Sequence, residues 1–336
     1  MRFMSLLLLL IGASLPAQVD IQSLKKFVTD NIDFRAQSRG VAFNGKLFFP
    51  ATTIEEGAEL WMSDGTPEGT QLLVDLFSGP GNSFPQNLFV ANDLLYFIAT
   101  TPELGAELYR TDGTAEGTRL VKDILPGPGF GFPSTITDRF YSWRGRVYFA
   151  AQDFMRNVEL WSTDGTAEGT QIEADICPNS SPGSDSGSEP AKFIANEHFL
   201  YFVAGKRFVQ TEVWRFDGDT AAQVSDISIQ GFSESPSNLT VLGDYVYFGA
   251  GQGLEFDLYR SLATPGSAPT SELVFDFPGG GLFLLNTVQG PLNILNGALI
   301  FSIRQELEVD LWISDGTPSG TRLLLDNDSD ITSDLF

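Results

Sequence analysis

The chain offers almost no nucleophilic or metal-binding chemistry. Among its 336 residues there is one cysteine, Cys177, and one histidine, His198. A single cysteine excludes an internal disulfide, and so small a set of soft ligands sets structural zinc aside. A Cys–His nucleophilic couple is poorly supported, because His198 falls in the polar stretch Asn196-Glu197-His198, where a solvated side chain is expected. Basic residues are also scarce: 20 Lys and Arg stand against 43 Asp and Glu, a net charge of -23. That excess repels nucleic acid and anionic membrane surfaces. It leaves proteins, neutral sugars, cationic groups and metal ions as partners. No run after the first residues is long enough to cross a bilayer, so no membrane insertion is expected, and no amphipathic helical period is visible.

What the sequence does contain is one recurring cassette. Glu59-Leu60-Trp61 with Asp64-Gly65-Thr66 and Gly69-Thr70 returns as Glu107-Leu108-Tyr109 with Asp112-Gly113-Thr114 and Gly117-Thr118. It returns again from Glu159-Leu160-Trp161 with Asp164, and from Asp310-Leu311-Trp312 with Asp315. Weaker copies begin at Glu212 and Asp257, so the acid recurs at 59, 107, 159, 212, 257 and 310. An independent marker keeps the same time. Phe48-Phe49 recurs as Tyr96-Phe97, Tyr148-Phe149, Tyr201-Phe202, Tyr247-Phe248 and Ile300-Phe301, always shortly before the acid. A period of this length signals a repeat architecture.

Within a unit the apolar residues alternate and are bounded by turn formers, the pattern of strands. The second unit reads as strands over 88–91, 94–99, 107–111 and 119–123. Tight turns such as Asn44-Gly45, Asn92-Asp93 and Asn296-Gly297 join the first strand to the second. The Asp-Gly-Thr-x-x-Gly-Thr element joins the third to the fourth, its Asp capping backbone N–H groups and its Gly taking the left-handed position. Four antiparallel strands per repeat predict an all-β, six-bladed β-propeller, with a seven-bladed ring completed by residues 19–39 as the alternative. The expected domains are a leader over 1–17, an N-terminal segment 18–39 with a closure strand near Lys26–Asp30, one propeller over 40–332 and a tail at 333–336.

The pattern Glu-Leu-Trp-x-x-Asp-Gly-Thr-x-x-Gly-Thr, preceded by Gly-x-Leu-Tyr-Phe-x-Ala, resembles the bacterial ELWxxDGT repeat family over about residues 40–326. Units four and five depart from it, since Asp217-Gly218-Asp219 lacks the Thr and Leu262–Thr270 replaces the turn. The resemblance implies a secreted bacterial repeat protein of largely undefined biochemistry. Residues 1–17 agree with that: Arg2, an apolar run over Leu6–Ile11 and Leu15-Pro16-Ala17 have the order of a secretory signal. A secreted, extracellular or cell-surface protein is expected, as a monomer.

The cassette residues Glu59, Trp61, Asp64, Glu107, Tyr109, Asp112, Glu159, Trp161, Asp164, Asp310, Trp312 and Asp315 are expected to be structural. The acids should lie inside the sandwich of sheets on the face of the neighbouring Trp, bonded to backbone N–H or Thr hydroxyl groups, because an unpartnered buried carboxylate costs several kcal/mol. No catalytic residue and no resident cofactor emerge. A weak calcium candidate is the tail Asp326, Asp328 and Asp330, with acids at the first, third and fifth loop positions. Ile331 stands where Gly is needed, and the twelfth position lies past Phe336.

By chain direction the loops after the second and fourth strands open on one side. They carry Glu55, Glu56, Glu103, Asp153, Glu255 and Glu306, with Phe84, Phe130, Phe132 and Phe232 beside them. Variable loops on a rigid scaffold are where binding usually resides. The expected function is a secreted non-enzymatic binding or scaffolding module, presenting this acidic face to an extracellular protein or glycan. The alternative is a propeller-fold glycoside hydrolase or lyase working with paired loop carboxylates.

Overall fold

A computed structural model describes residues 40–129, 131–132, 140–152, 157–177, 187–206, 209–227, 235–251, 257–277, 287–288, 291–305 and 308–325. The fold is all-β, and the described residues form six antiparallel sheets in chain order. Sheet 1 spans Val41 to Val74, sheet 2 Gln86 to Lys122, sheet 3 Phe140 to Ala174, sheet 4 Ala191 to Gln223, sheet 5 Ser237 to Phe275 and sheet 6 Thr287 to Leu325. Each is a four-stranded meander whose neighbours in sequence are neighbours in space. In sheet 6 the first strand is divided into Thr287–Val288 and Asn293–Leu295, both paired with Ala298–Gln305. Among the described residues six meanders in series make a six-bladed, propeller-like arrangement; residues 19–39, expected to supply a closure strand or a seventh blade, lie outside the described residues.

Sheet 2 illustrates the local causes. Its strands are Gln86–Ala91, Leu94–Thr101, Gly105–Thr111 and Arg119–Lys122. The second and third run further than alternation predicts, because Thr100 and Thr101 continue the ladder against Ala106 and Gly105. The first hairpin turns at Asn92 and Asp93, both at positive φ. That is the geometry of a two-residue turn that keeps the strand twist. Between third and fourth strands the register shifts at Leu108/Tyr109, and at the same cassette step in sheets 1, 3, 5 and 6. One extra residue on the fourth strand makes this a β-bulge.

The pleat sends alternate residues to opposite faces, so every sheet is apolar on both. Five interior clusters result, each joining two consecutive sheets. The repeated aromatic pair is split between them. Its first member, as in Phe48, Tyr96, Tyr148, Tyr201 and Tyr247, enters the cluster shared with the following sheet. Its second, as in Phe97, Phe149, Phe202, Phe248 and Phe301, enters the cluster shared with the preceding one. We call these the forward and rear faces of a sheet.

Candidate functional site

The cassette acid lies on the rear face, opposite Ala51 in sheet 1 and Ala99 in sheet 2, two residues from the Trp or Tyr that faces the preceding sheet. Glu59 and Glu107 are fully buried. Their carboxylates reach the end of the sheet where the crossover to the next sheet begins. Glu59 accepts the N–H groups of Leu76 (3.2 Å), Phe77 (3.3 Å) and Ser83 (3.1 Å), and the Ser83 hydroxyl at 2.5 Å. Glu159 accepts the Ile176 N–H at 3.0 Å and the Ser188 hydroxyl at 2.6 Å. Glu212 accepts the Ser225 hydroxyl and the Ile227 N–H. Glu107 accepts the N–H groups of Ile124 (2.9 Å) and Leu125 (3.1 Å). Where sheet 1 has Ser83, sheet 2 has Gly131.

These contacts couple sheet to sheet. The Ser83 carbonyl accepts Thr100 N–H of sheet 2 at 2.7 Å, Gly131 O accepts Gln152 N–H of sheet 3 at 2.8 Å, and Ser188 O accepts Gly205 N–H of sheet 4 at 2.9 Å. In sheets 1 to 3 the buried acid therefore fixes a crossover strap that is itself bonded to the next sheet. The close approach demands glycine at the start of the third strand. Gly57 and Gly105 both sit at positive φ, and a Cβ on either would collide with a strap carbonyl, that of Gly81 or of Gly129. Only glycine combines that backbone angle with the missing side chain. Burial pushes the Glu59, Glu107, Glu159 and Glu212 carboxyls upward, against hydrogen bonds that favour the charged form. Glu107, with no hydroxyl donor, is pushed to about 7.

At the opposite end the Asp-Gly-Thr turns are self-contained. Asp64 accepts the N–H (2.9 Å) and hydroxyl (2.7 Å) of Thr66, whose oxygen accepts Gly69 N–H at 2.9 Å. The same set recurs at Asp112, Asp164 and Asp315. The threonine hydroxyl, then the N–H, holds each of these exposed carboxyls below its ordinary value. The turn glycine has a second role beyond its positive φ. A Cβ on Gly316 would collide with the Tyr247 hydroxyl of sheet 5, and one on Gly165 would stand 2.8 Å from that of Tyr96 in sheet 2.

Of the loop acids singled out from sequence, Glu55 and Glu103 are exposed and Glu56 is half-buried, and all three lie on the crossover end of sheets 1 and 2. Glu56 is tied to Thr53 through its N–H and its carboxylate. Asp153, Glu255 and Glu306 lie outside the described residues, as do Phe130, Phe232, Asp326, Asp328 and Asp330. The two described loop phenylalanines part company. Phe132 is buried against Phe140 and Phe149, whereas Phe84, the residue after Ser83, is 60% exposed. Phe84 sits at positive φ, its N–H bonded to Ala58 O at 3.2 Å. Beside it in the same strap-and-turn unit, Ile54 is 77% exposed. Alternation alone does not distinguish the outward Phe84 from the inward Phe132, so this apolar pair was not legible in the sequence.

His198 is exposed and lies 3.5 Å from Glu197, while Cys177 is buried. Among the described residues no group of three or more His, Cys, Asp or Glu could hold a metal ion. No helix among them is long and apolar enough to cross a membrane.

No family model matches the chain, and no curated protein matches it. Among solved structures it is similar to prolyl oligopeptidase B from Galerina marginata, bound to a hydrolysis and macrocyclization substrate. Identity is 12%, TM-score 0.52, with 87% of this chain and 44% of that one covered. A second variant of that enzyme gives 11% identity, TM-score 0.52 and coverages of 88% and 44%. The β-propeller domain of the Trilobed protease from Pyrococcus furiosus gives 11%, 0.40, and coverages of 87% and 81%. The chain thus spans less than half the length of the oligopeptidase it matches, and the likeness is one of fold. These findings correct the family reading. The chain is not placed in the ELWxxDGT repeat family, and the secretion signal and bacterial source that came with it gain no support; residues 1–39 lie outside the described residues. The physical reason is visible above. The motif's acid, aromatic, Asp, Gly and Thr are each occupied in holding straps, turns and sheet faces together, a need of the fold that marks no family by itself.

Proposed function

We propose that the protein is a non-enzymatic binding or scaffolding module, a monomer that presents the crossover end of its sheets to an extracellular protein or glycan. One observation carries this reading: Phe84 stands exposed on a strap held from beneath by the buried Glu59, and Ile54 stands exposed next to Glu55 and Glu56 on the hairpin turn at the same end of the sheet. An aromatic kept at positive φ and turned to solvent is a strained, outward arrangement of the kind found at ligand contacts. Exposed large apolar side chains on an end of the molecule that also carries carboxylates suit a partner with an apolar or sugar face and cationic or hydroxyl groups around it. Protein and polysaccharide panels, assayed for both retention and cleavage, test it. Retention that falls at least tenfold in Phe84→Ala and weakens in Glu55→Gln/Glu56→Gln, with no new chain ends released, is expected. Cleavage of any retained glycan, or retention indifferent to both variants, overturns the reading. The extracellular location belongs to the same proposal and is checked by fractionating the source cells.

A further inference from the structure

One ladder position of the repeat carries charge in a way that differs from sheet to sheet. The residue after the cassette aromatic lies on the forward face and stands opposite a residue of the fourth strand. Where it is arginine, Arg215 faces Ala222, Arg260 faces Glu272 and Arg110 faces Arg119. Sheet 2 alone sets two like charges there. Like charges directly opposite on one face of a sheet destabilise it unless something neutralises them.

Sheet 5 shows the neutralised form. Glu272 Oε2 accepts from Arg260 Nε at 2.8 Å and stands 2.8 Å from Nη2, while Nη1 donates to Gly316 O of the next sheet at 2.7 Å. In sheet 4 the buried Arg215 donates to Ala263 O at 2.7 Å. Sheet 2 has no such commitment. Arg110 is half-buried and Arg119 exposed, and neither forms a hydrogen bond or ion pair among the described residues. The turn aspartates of sheets 2 and 3, Asp112 and Asp164, each accept through Oδ1 from their own turn threonine.

A further donor lies behind the pair. Tyr96, opposite Arg110 on the same face, is wholly buried and its hydroxyl has no hydrogen-bond partner. That hydroxyl and Arg110 Nη1 lie 2.8 Å and 3.4 Å from the point where a Cβ on Gly165 would stand, so both converge on the turn of sheet 3. Tyr247 and Arg260 converge on Gly316 in the same way. A buried donor left unmade is costly.

We propose that Arg110 and Arg119 form a binding site for an oxyanion supplied from outside the chain, a carboxylate or phosphate group seated where Glu272 sits against Arg260. The planar fork of a guanidinium matches two oxygens of such a group. Its negative charge offsets the repulsion across the ladder, and the Tyr96 hydroxyl is the uncommitted donor on the inner side. With 43 acids against 20 basic residues, the chain as a whole repels anions, which confines binding to a place where two cations are left without an acid. The site lies at the turn end of the sheets, opposite the crossover end, and is independent of the reading above.

Inorganic phosphate and a short phosphoserine peptide, each titrated into the full chain at fixed ionic strength and followed by phosphorus NMR, test the site. Both should bind. Arg110→Gln and Arg119→Glu should each weaken binding at least tenfold, the second because it places a carboxylate where sheet 5 has one. Arg119 is exposed, so its variant changes the site without disturbing the joint. Arg322→Gln, which removes a lone arginine at the same ladder position of sheet 6, should leave binding unchanged. Tighter binding of the peptide assigns the oxyanion to a macromolecular partner, and equal binding assigns it to a free ion; either upholds the site. No binding of either probe, binding indifferent to both sheet 2 variants, or an equal loss in Arg322→Gln overturns the proposal.

Discussion

The straps of sheets 1 and 2 follow one backbone course and differ in one side chain. Ser83 and Gly131 each donate N–H to the start of the third strand, to Ala58 O and Ala106 O, and each accepts from the next sheet. Above Ser83 lies Glu59 with three N–H donors and a hydroxyl. Above Gly131 lies Glu107 with two N–H donors. The difference shows what makes a buried carboxylate tolerable. Burial raises both carboxyls, and the hydroxyl is the largest opposing influence on Glu59. Where it is missing, the carboxyl titrates near neutrality. The same fold element carries a hydroxyl-bonded carboxyl in one sheet and, in the next, one without that bond that is pushed to about 7.

Deleting the acids should expose the contrast most strongly. Glu59→Ala strands two N–H groups, those of Leu76 and Phe77, and the Ser83 hydroxyl, while the Ser83 N–H keeps Ala58 O at 3.0 Å; the cost is roughly 1–3 kcal/mol for each unsatisfied donor that water does not reach. A net loss of about 4 kcal/mol by urea denaturation at pH 7 is expected. Glu107→Ala strands fewer donors and removes a carboxyl that resists ionisation, so about half that loss is expected. Equal losses would mean that Ser83 contributes nothing to the first tie.

The next effect is in pH. Glu107 has a folded value of about 7 against an ordinary 4.5. Below the ordinary value it is protonated folded and unfolded, and its contribution is fully present. As pH rises toward the folded value the unfolded chain ionises first, and stability is lost by up to about 3 kcal/mol. The Asp-Gly-Thr aspartates act oppositely: held below their ordinary 3.8, they contribute above it and fail as pH falls further. Thermal stability should therefore be greatest in mild acid. Since the net charge of -23 also relaxes there, the decisive measurement is the wild type against Glu107→Gln. The variant should lose most of the decline between pH 5 and pH 8 that belongs to Glu107. Parallel curves would exclude Glu107 as the titrating group.

Sequence and structure meet most closely where an interaction is local. The aromatic pair, the hairpin turns at Asn44 and Asn92, and the Asp64–Thr66 turn close within a few residues, so spacing and alternation disclose them, and with them the six sheets. Contacts between repeats are less legible. Glu59 meets Ser83 across 24 residues and Asn44 meets Asp112 across 68, through crossovers whose lengths vary, so no fixed interval announces the partner. Asn44 and Asn92 read as turn formers and prove also to donate hydrogen bonds to the following sheet. Phe84 and Phe132 occupy the same strap position and differ in which way the side chain turns, a choice made by the neighbouring sheet. The acidic face was legible as composition and Phe84 was placed on it, but the exposed Ile54 and the outward turn of Phe84 were not legible.

The smallest expected effect is the most direct test of the strap comparison. Gly131→Ser would give sheet 2 the hydroxyl that sheet 1 has. A Cβ at Gly131 would stand 2.7 Å from Glu107 Oε1, so the carboxylate must retreat slightly. That movement costs little, because the crowded atom is the free end of a flexible side chain. Sheet 1 accommodates a serine at the same backbone position with its hydroxyl 2.5 Å from Glu59. The new bond, worth about 1 kcal/mol, should nearly cancel the crowding, leaving stability at pH 5 within about 1 kcal/mol of wild type. What should change is the titration. A donor to the charged form lowers the Glu107 pKa, so the decline in stability between pH 5 and pH 8 should shrink in Gly131→Ser and not in a Gly131→Ala control. If both variants keep the wild-type slope, the missing hydroxyl is not the reason that the two ties differ.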